Sequence, residues 1–175
     1  MSLLVHMLGK TSVSAIRSLL LLAGQDLQQP WSPRRIADEL GESPTYLAKV
    51  LRHLVKAGIL ESERGVKGGV SLVRQPSAIT LLAIVEACHG TIVGDYCKAS
   101  VAGTPCAFHR AAVELHLAIT GVLERWTLAD LLAGPFNERV GPGRKCLLAG
   151  VPKPVDHVVA ALIPLVGTAA KGVRS

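Results

Sequence analysis

Cys106 and His109 stand three residues apart in a stretch of helical spacing, so a sulfur and an imidazole would leave one helix face in the same direction. Both are donors that transition metals accept. Cys88 and Cys97 precede them and Cys146 follows, four cysteines in all. In a reducing compartment such residues are free thiols or metal ligands more often than disulfides. Cys88 lies among Ala83, Val85 and Ala87, which reads as a small core position. A second group is cationic and hydroxylic: Ser43, Thr45, Tyr46, Lys49, Arg52 and His53 in one short segment, with Arg64 and Lys67 after it. Side chains of this kind reach phosphates and base edges. The sequence has no phosphate loop, nucleophile elbow or usefully spaced carboxylate pair, so it supports no enzyme.

The elements that must position these residues are helical. With 49% hydrophobic but only 3% aromatic residues, a core has to be built from Leu, Val, Ile and Ala, which disfavours an all-β fold. Val13, Ile16, Leu19, Leu20 and Ala23 predict a one-sided helix capped by Thr11 or Ser12. Ser32-Pro33 opens a short helix that stops at Gly41, and Ser43-Pro44 repeats the opening for a second helix. That helix buries Leu47, Val50, Leu51, Leu54 and Val55 and closes at Gly58. Two short helices around a glycine-containing turn are a helix-turn-helix. Residues 59–64 and 70–74 are strand-like and meet at a glycine-rich tip, a hairpin wing. Thr80 begins a helix from Leu81 to His89, a loop follows, and a longer helix runs from about Cys106 to Arg125. Thr127 starts a short last turn to Leu132. The expected fold is mainly α with a small β-wing: a winged helix-turn-helix plus a long dimerisation helix.

Charge follows the same division. The net charge is +6, and residues 31–75 hold eight basic side chains (Arg34, Arg35, Lys49, Arg52, Lys56, Arg64, Lys67, Arg74) against five acidic ones. Residues 76–132 are acidic on balance and 133–175 basic again. Basic excess on the helix-turn-helix is what phosphate neutralisation requires, although a solvated helix face gives the same count.

The segments Ser43-Pro44-Thr45-Tyr46-Leu47-Ala48-Lys49-Val50-Leu51, Lys56-Ala57-Gly58-Ile59-Leu60, Ser62-Glu63-Arg64-Gly65-Val66-Lys67-Gly68-Gly69-Val70-Ser71-Leu72 and Ile79-Thr80-Leu81 resemble the Rrf-two family, the IscR- and NsrR-like regulators. Thr127-Leu128-Ala129-Asp130-Leu131 resembles the end of that family's long helix, so the likeness spans roughly residues 8 to 132. The resemblance implies a homodimer joined largely through the long helix, reading a palindromic operator in double-stranded DNA with two recognition helices. Many members hold a [2Fe-2S] or [4Fe-4S] cluster through three cysteines in the loop before that helix. Cys97 matches the first of these cysteines, Cys106 the last, and His109 the histidine ligand of the IscR branch. The middle cysteine has no counterpart. The implied cofactor is an iron-sulfur cluster, [2Fe-2S] ahead of [4Fe-4S], with further ligands to be sought among Cys88, His89, Asp95, His6 and, more weakly, Cys146.

The expected organisation is a DNA-binding domain over residues 1–80, a sensor loop and dimerisation helix over 81–132, and a partly helical tail over 133–175. Neither a signal peptide nor an apolar run of about 18 residues is visible, so a cytoplasmic regulator without membrane contact is expected. Three alternatives remain open: a regulator switched by thiol oxidation, one switched by a metal ion such as zinc, and a winged-helix protein-interaction module without DNA function.

Overall fold

The computed structural model of the chain describes residues 8–25, 30–65, 68–92, 106–134 and 146–152. Around helix α1, Lys10–Ala23, the other elements assemble, and most of its length is buried. Its start differs from expectation: Gly9 takes the cap position, and Thr11 and Ser12 lie inside the helix. The buried Ser12 hydroxyl pairs instead with His89 Nε2 at 2.8 Å, and the Ser18 hydroxyl donates to the Ser14 carbonyl at 2.8 Å. Polar groups can sit inside this helix because each finds a partner.

Helix α2, Pro33–Leu40, opens as its sequence predicts, with the Ser32 hydroxyl accepting from the Arg35 amide at 3.2 Å. Gly41 then reverses the chain at φ 63°, a left-handed conformation that suits a residue without Cβ. Helix α3, Pro44–Lys56, starts with Ser43 at the cap position, but the Ser43 side chain accepts no capping bond. Leu47, Val50, Leu51 and Leu54 face inward, while Val55 is only half-buried. Strands β1, Leu60–Glu63, and β2, Gly69–Leu72, pair antiparallel from Leu60 opposite Leu72 to Glu63 opposite Gly69. Both are shorter than their composition suggests. Ile59 is taken up by the turn out of α3, where its amide donates to the Leu54 carbonyl at 3.0 Å. Trp31 bridges the other edge of β2: its amide donates to the Val70 carbonyl at 3.0 Å and its carbonyl accepts the Val70 amide at 2.9 Å.

A single 3-10 turn, Pro76–Ala78, leads to α4, Leu81–His89, capped by Thr80 accepting from the Ala83 amide at 3.1 Å. Helix α5, Ala107–Arg125, and the short α6, Leu128–Ala133, complete the described helices. Thr127 and Asp130 form a capping box, with the Thr127 amide donating to the Asp130 carboxylate at 2.7 Å. The two ends of the α4–α5 arm are stapled together, because Leu81 donates to the Trp126 carbonyl and Leu128 to the Ile79 carbonyl, both at 2.8 Å. One apolar cluster joins α1, α2, α3, the wing, α4 and α6. Each fully buried leucine in it contributes about 1.5–3 kcal/mol relative to exposure. Residues 146–152 also reach this cluster, through Val151 and Leu148.

Candidate nucleic-acid interface and sulfur site

Burial of Leu47, Val50, Leu51 and Leu54 fixes how α3 is rotated. Thr45, Lys49, Arg52, His53 and Lys56 are consequently exposed on the opposite side. Ser43 is exposed at the helix start, its hydroxyl free of any capping role. Tyr46 sits on the flank of this face, half-buried against α1, with its hydroxyl 3.5 Å from Thr11 Oγ1 and its ring beneath Lys10 Nζ, 4.8 Å from the centroid. Ordering of Lys10 and Tyr46 against each other steadies the entry to the helix.

Arg64 is exposed directly after β1, where the strand enters the glycine-rich tip of the wing. Lys67 lies outside the described residues. Gly68 and Gly69 are demanded by close packing. A Cβ on Gly69 would stand 2.5 Å from the Trp31 carbonyl carbon and oxygen, and one on Gly68 would collide with the Glu63 carbonyl. The wing therefore rests on backbone with no room for a side chain between.

Arg35, exposed in the first turn of α2, stacks over the Trp31 ring 3.5 Å from its centroid. The Ser32-Pro33 opening puts it there; its stacking depends on Trp31 pairing with β2, which no local pattern announces.

Cys106 occupies the cap position of α5 and its Sγ accepts the His109 amide at 3.4 Å. Cys106 is exposed and His109 half-buried one turn on. Among the described residues no three His, Cys, Asp or Glu side chains converge as a metal site. Cys97, Asp95 and His6 lie outside the described residues. Cys88 is half-buried in α4 against the main cluster, and burial pushes its thiol up to about 11. Cys88, Cys106 and Cys146 carry no disulfide.

Helix α5 buries only Leu123 fully, against Val85 of α4. Phe108 (70% exposed), Leu115 (54%), Val122 and Trp126 are left in solvent, and Ala111 and Ala118 are exposed between them. Their three- and four-residue steps make one continuous apolar stripe along the helix. Among the described residues no helix is long and apolar enough to cross a membrane.

The family model described as an iron-dependent transcriptional regulator, Rrf2, matches residues 8–134. The chain is 40% identical over 76 residues to the putative HTH-type transcriptional regulator YwgB of Bacillus subtilis, covering 43% of this chain and about half, 49%, of that relative. It is 32% identical over 123 residues to the HTH-type transcriptional regulator NsrR of Geobacillus kaustophilus, covering 67% of this chain and 84% of that one. Among solved structures it is similar to CymR, the global cysteine regulator of Bacillus subtilis, at 27% identity and TM-score 0.58, covering 71% of this chain and 94% of that chain. A helix-turn-helix with a two-stranded wing, and a family match over most of the chain, agree: the chain belongs to the Rrf2 family of transcriptional regulators, a family of DNA-binding proteins and not of enzymes.

Proposed function

We propose that the chain is a homodimeric, cytoplasmic repressor or activator that reads a palindromic operator in double-stranded DNA. In this reading residues 1–80 bind DNA, residues 81–132 sense and dimerise, and residues 133–175 form an extension. The observation that carries it is the divided surface of α3: one side packed with leucine and valine, the other offering Thr45, Lys49, Arg52 and His53 to a groove. Ser43 and Tyr46 flank that surface, and Arg64, Lys67 and Arg35 are assigned to the backbone on either side. A salt titration with oligonucleotides selected from a random pool tests it. Arg52→Ala and Arg64→Ala should each weaken binding, and a phosphate contact removed should reduce the salt slope by about one. Salt-insensitive binding, or none, would leave the protein-interaction reading.

The partner for the apolar stripe of α5 is a second copy of the chain. A monomer has nothing among its described residues to cover Phe108, Leu115, Val122 and Trp126, and a symmetric partner brings the same stripe.

For sensing, the donors at the start of α5 fit an iron-sulfur cluster in kind: an accessible sulfur and an imidazole one turn apart. Cys106 and His109 would hold it together with Cys97, [2Fe-2S] ahead of [4Fe-4S], and the family's iron-dependent description supports the choice. Such a group supplies a charge and a tether that change with oxidation state or nitric oxide. The chain's own part is to place these ligands at the start of α5, the end of the arm away from its stapled base, so that their restraint sets the pose of α5 and the separation of the two recognition helices. Anaerobic purification with visible absorbance and iron and sulfide assay decides this. A colourless, iron-free protein overturns it and leaves thiol oxidation at the exposed Cys106, or a simple metal ion, as the signal.

A further inference from the structure

Residues 146–152 lie beyond the stretch that matches the family model, yet they pack against the core that the helix-turn-helix shares. They form a tight turn, in which the Ala149 amide donates to the Cys146 carbonyl at 2.9 Å and the Val151 amide to the Leu148 carbonyl at 3.2 Å. Val151 is 7% exposed and belongs to the main core, and Leu148 packs on it. The Ala149 carbonyl accepts from Arg17 Nη2 at 3.4 Å. That nitrogen also donates to the carbonyl of Leu40, the last residue of α2, at 3.1 Å, and Arg17 Nη1 donates to Glu42 Oε1 at 2.8 Å. Glu42 stands in the turn immediately before Ser43 and α3. One guanidinium thus joins the first helix, the turn of the helix-turn-helix and the C-terminal segment.

Arg17 and Glu42 are largely shielded from water, and Arg17 Nε and Glu42 Oε2 are buried without a hydrogen-bond partner among the described residues, so a lost contact is not readily replaced. Leu147 faces Ser43, Tyr46 and Leu8 across a cavity of about 540 Å3. The hydrogen-bonded link from the segment to the turn runs through Arg17.

We propose that residues 146–152 are a strap that seats the helix-turn-helix turn through Arg17 and so sets the pose of α3. Any event that lifts the strap would loosen the reading head. That consequence for DNA rests on the reading given under Proposed function, whereas the seating itself does not.

The test is amide hydrogen exchange by mass spectrometry on the full-length protein and its Val151→Asp variant. The diagnostic amides are those of Glu42 and Leu47, which donate to the carbonyls of Ala37 and Ser43 at 2.9 Å. The β1–β2 hairpin serves as internal reference. Exchange at the turn should rise roughly ten-fold or more while the hairpin stays unchanged. Val151→Ala should shift it in the same direction by less, and stands in if the aspartate variant does not fold. Unchanged exchange at the turn, or acceleration of turn and hairpin by the same factor, overturns the strap, the latter because Val151 would then support only global stability. Operator binding is measured separately. A wild-type protein that fails to bind DNA sinks the DNA-reading proposal and leaves the exchange result standing.

Discussion

At the scale of single residues, two kinds of position carry the sharpest expectations. Gly69 packs face to face with the Trp31 backbone, so the added methyl of Gly69→Ala meets main chain that cannot swing aside. A loss of roughly 1–3 kcal/mol is expected from such overpacking, read as a lower urea midpoint with an unchanged slope. An unshifted midpoint would mean that the wing backs away from Trp31 at no cost. Cys88 makes a pH prediction. Its thiol ionises near 9.0 in the unfolded chain but only at about 11 in the folded one, so the unfolded state releases the proton first as pH rises. The stability contribution is complete below about pH 9 and is lost between pH 9 and 11. Wild-type protein should lose stability faster than Cys88→Ala across that window. Parallel curves would refute the burial of this thiol. The sequence marked Cys88 as a core position from its apolar neighbours and Cys106 as a helix start; the structure packs Cys88 half-buried against the core and leaves Cys106 exposed. The sequence missed Arg35 and Arg17, whose partners lie on other elements.

Among the elements, the two serine-proline openings look alike in sequence and behave differently in the fold. Ser32 caps α2 through its hydroxyl, whereas Ser43 holds the same position before α3 without using its side chain. Ser32→Ala should cost about 1 kcal/mol and Ser43→Ala close to nothing in thermal or chemical unfolding. Equal losses would contradict the difference between the caps. If Ser43 touches phosphate as proposed, its substitution should show in DNA affinity alone. The helices, the wing and their order were legible from 3.6-residue periodicity, proline openings and glycine stops. Their ends were less so: Thr11 and Ser12 read as caps but lie inside α1, because the buried Ser12 hydroxyl is claimed by His89 from the far end of α4.

For the molecule as a whole, the unshielded stripe of α5 predicts assembly. Leu115→Glu, placed in the middle of that stripe, should weaken a dimer by about 2 kcal/mol or more, about 30-fold in dissociation constant, as measured by sedimentation equilibrium. A variant that dimerises as tightly as the wild type would move the interface elsewhere. The sequence by itself determined the class of fold, the rotation of α3 and the family, since each rests on local periodicity, capping chemistry and contiguous motifs. Only the tertiary structure decided that Tyr46 leans on α1, that Trp31 completes the wing, and that a segment outside the family match returns to share Arg17 with the reading head. The reason is physical. Hydrophobic period and turn chemistry act over a few residues, whereas these contacts join positions far apart in sequence, and such a contact is specified by the packing of the whole core.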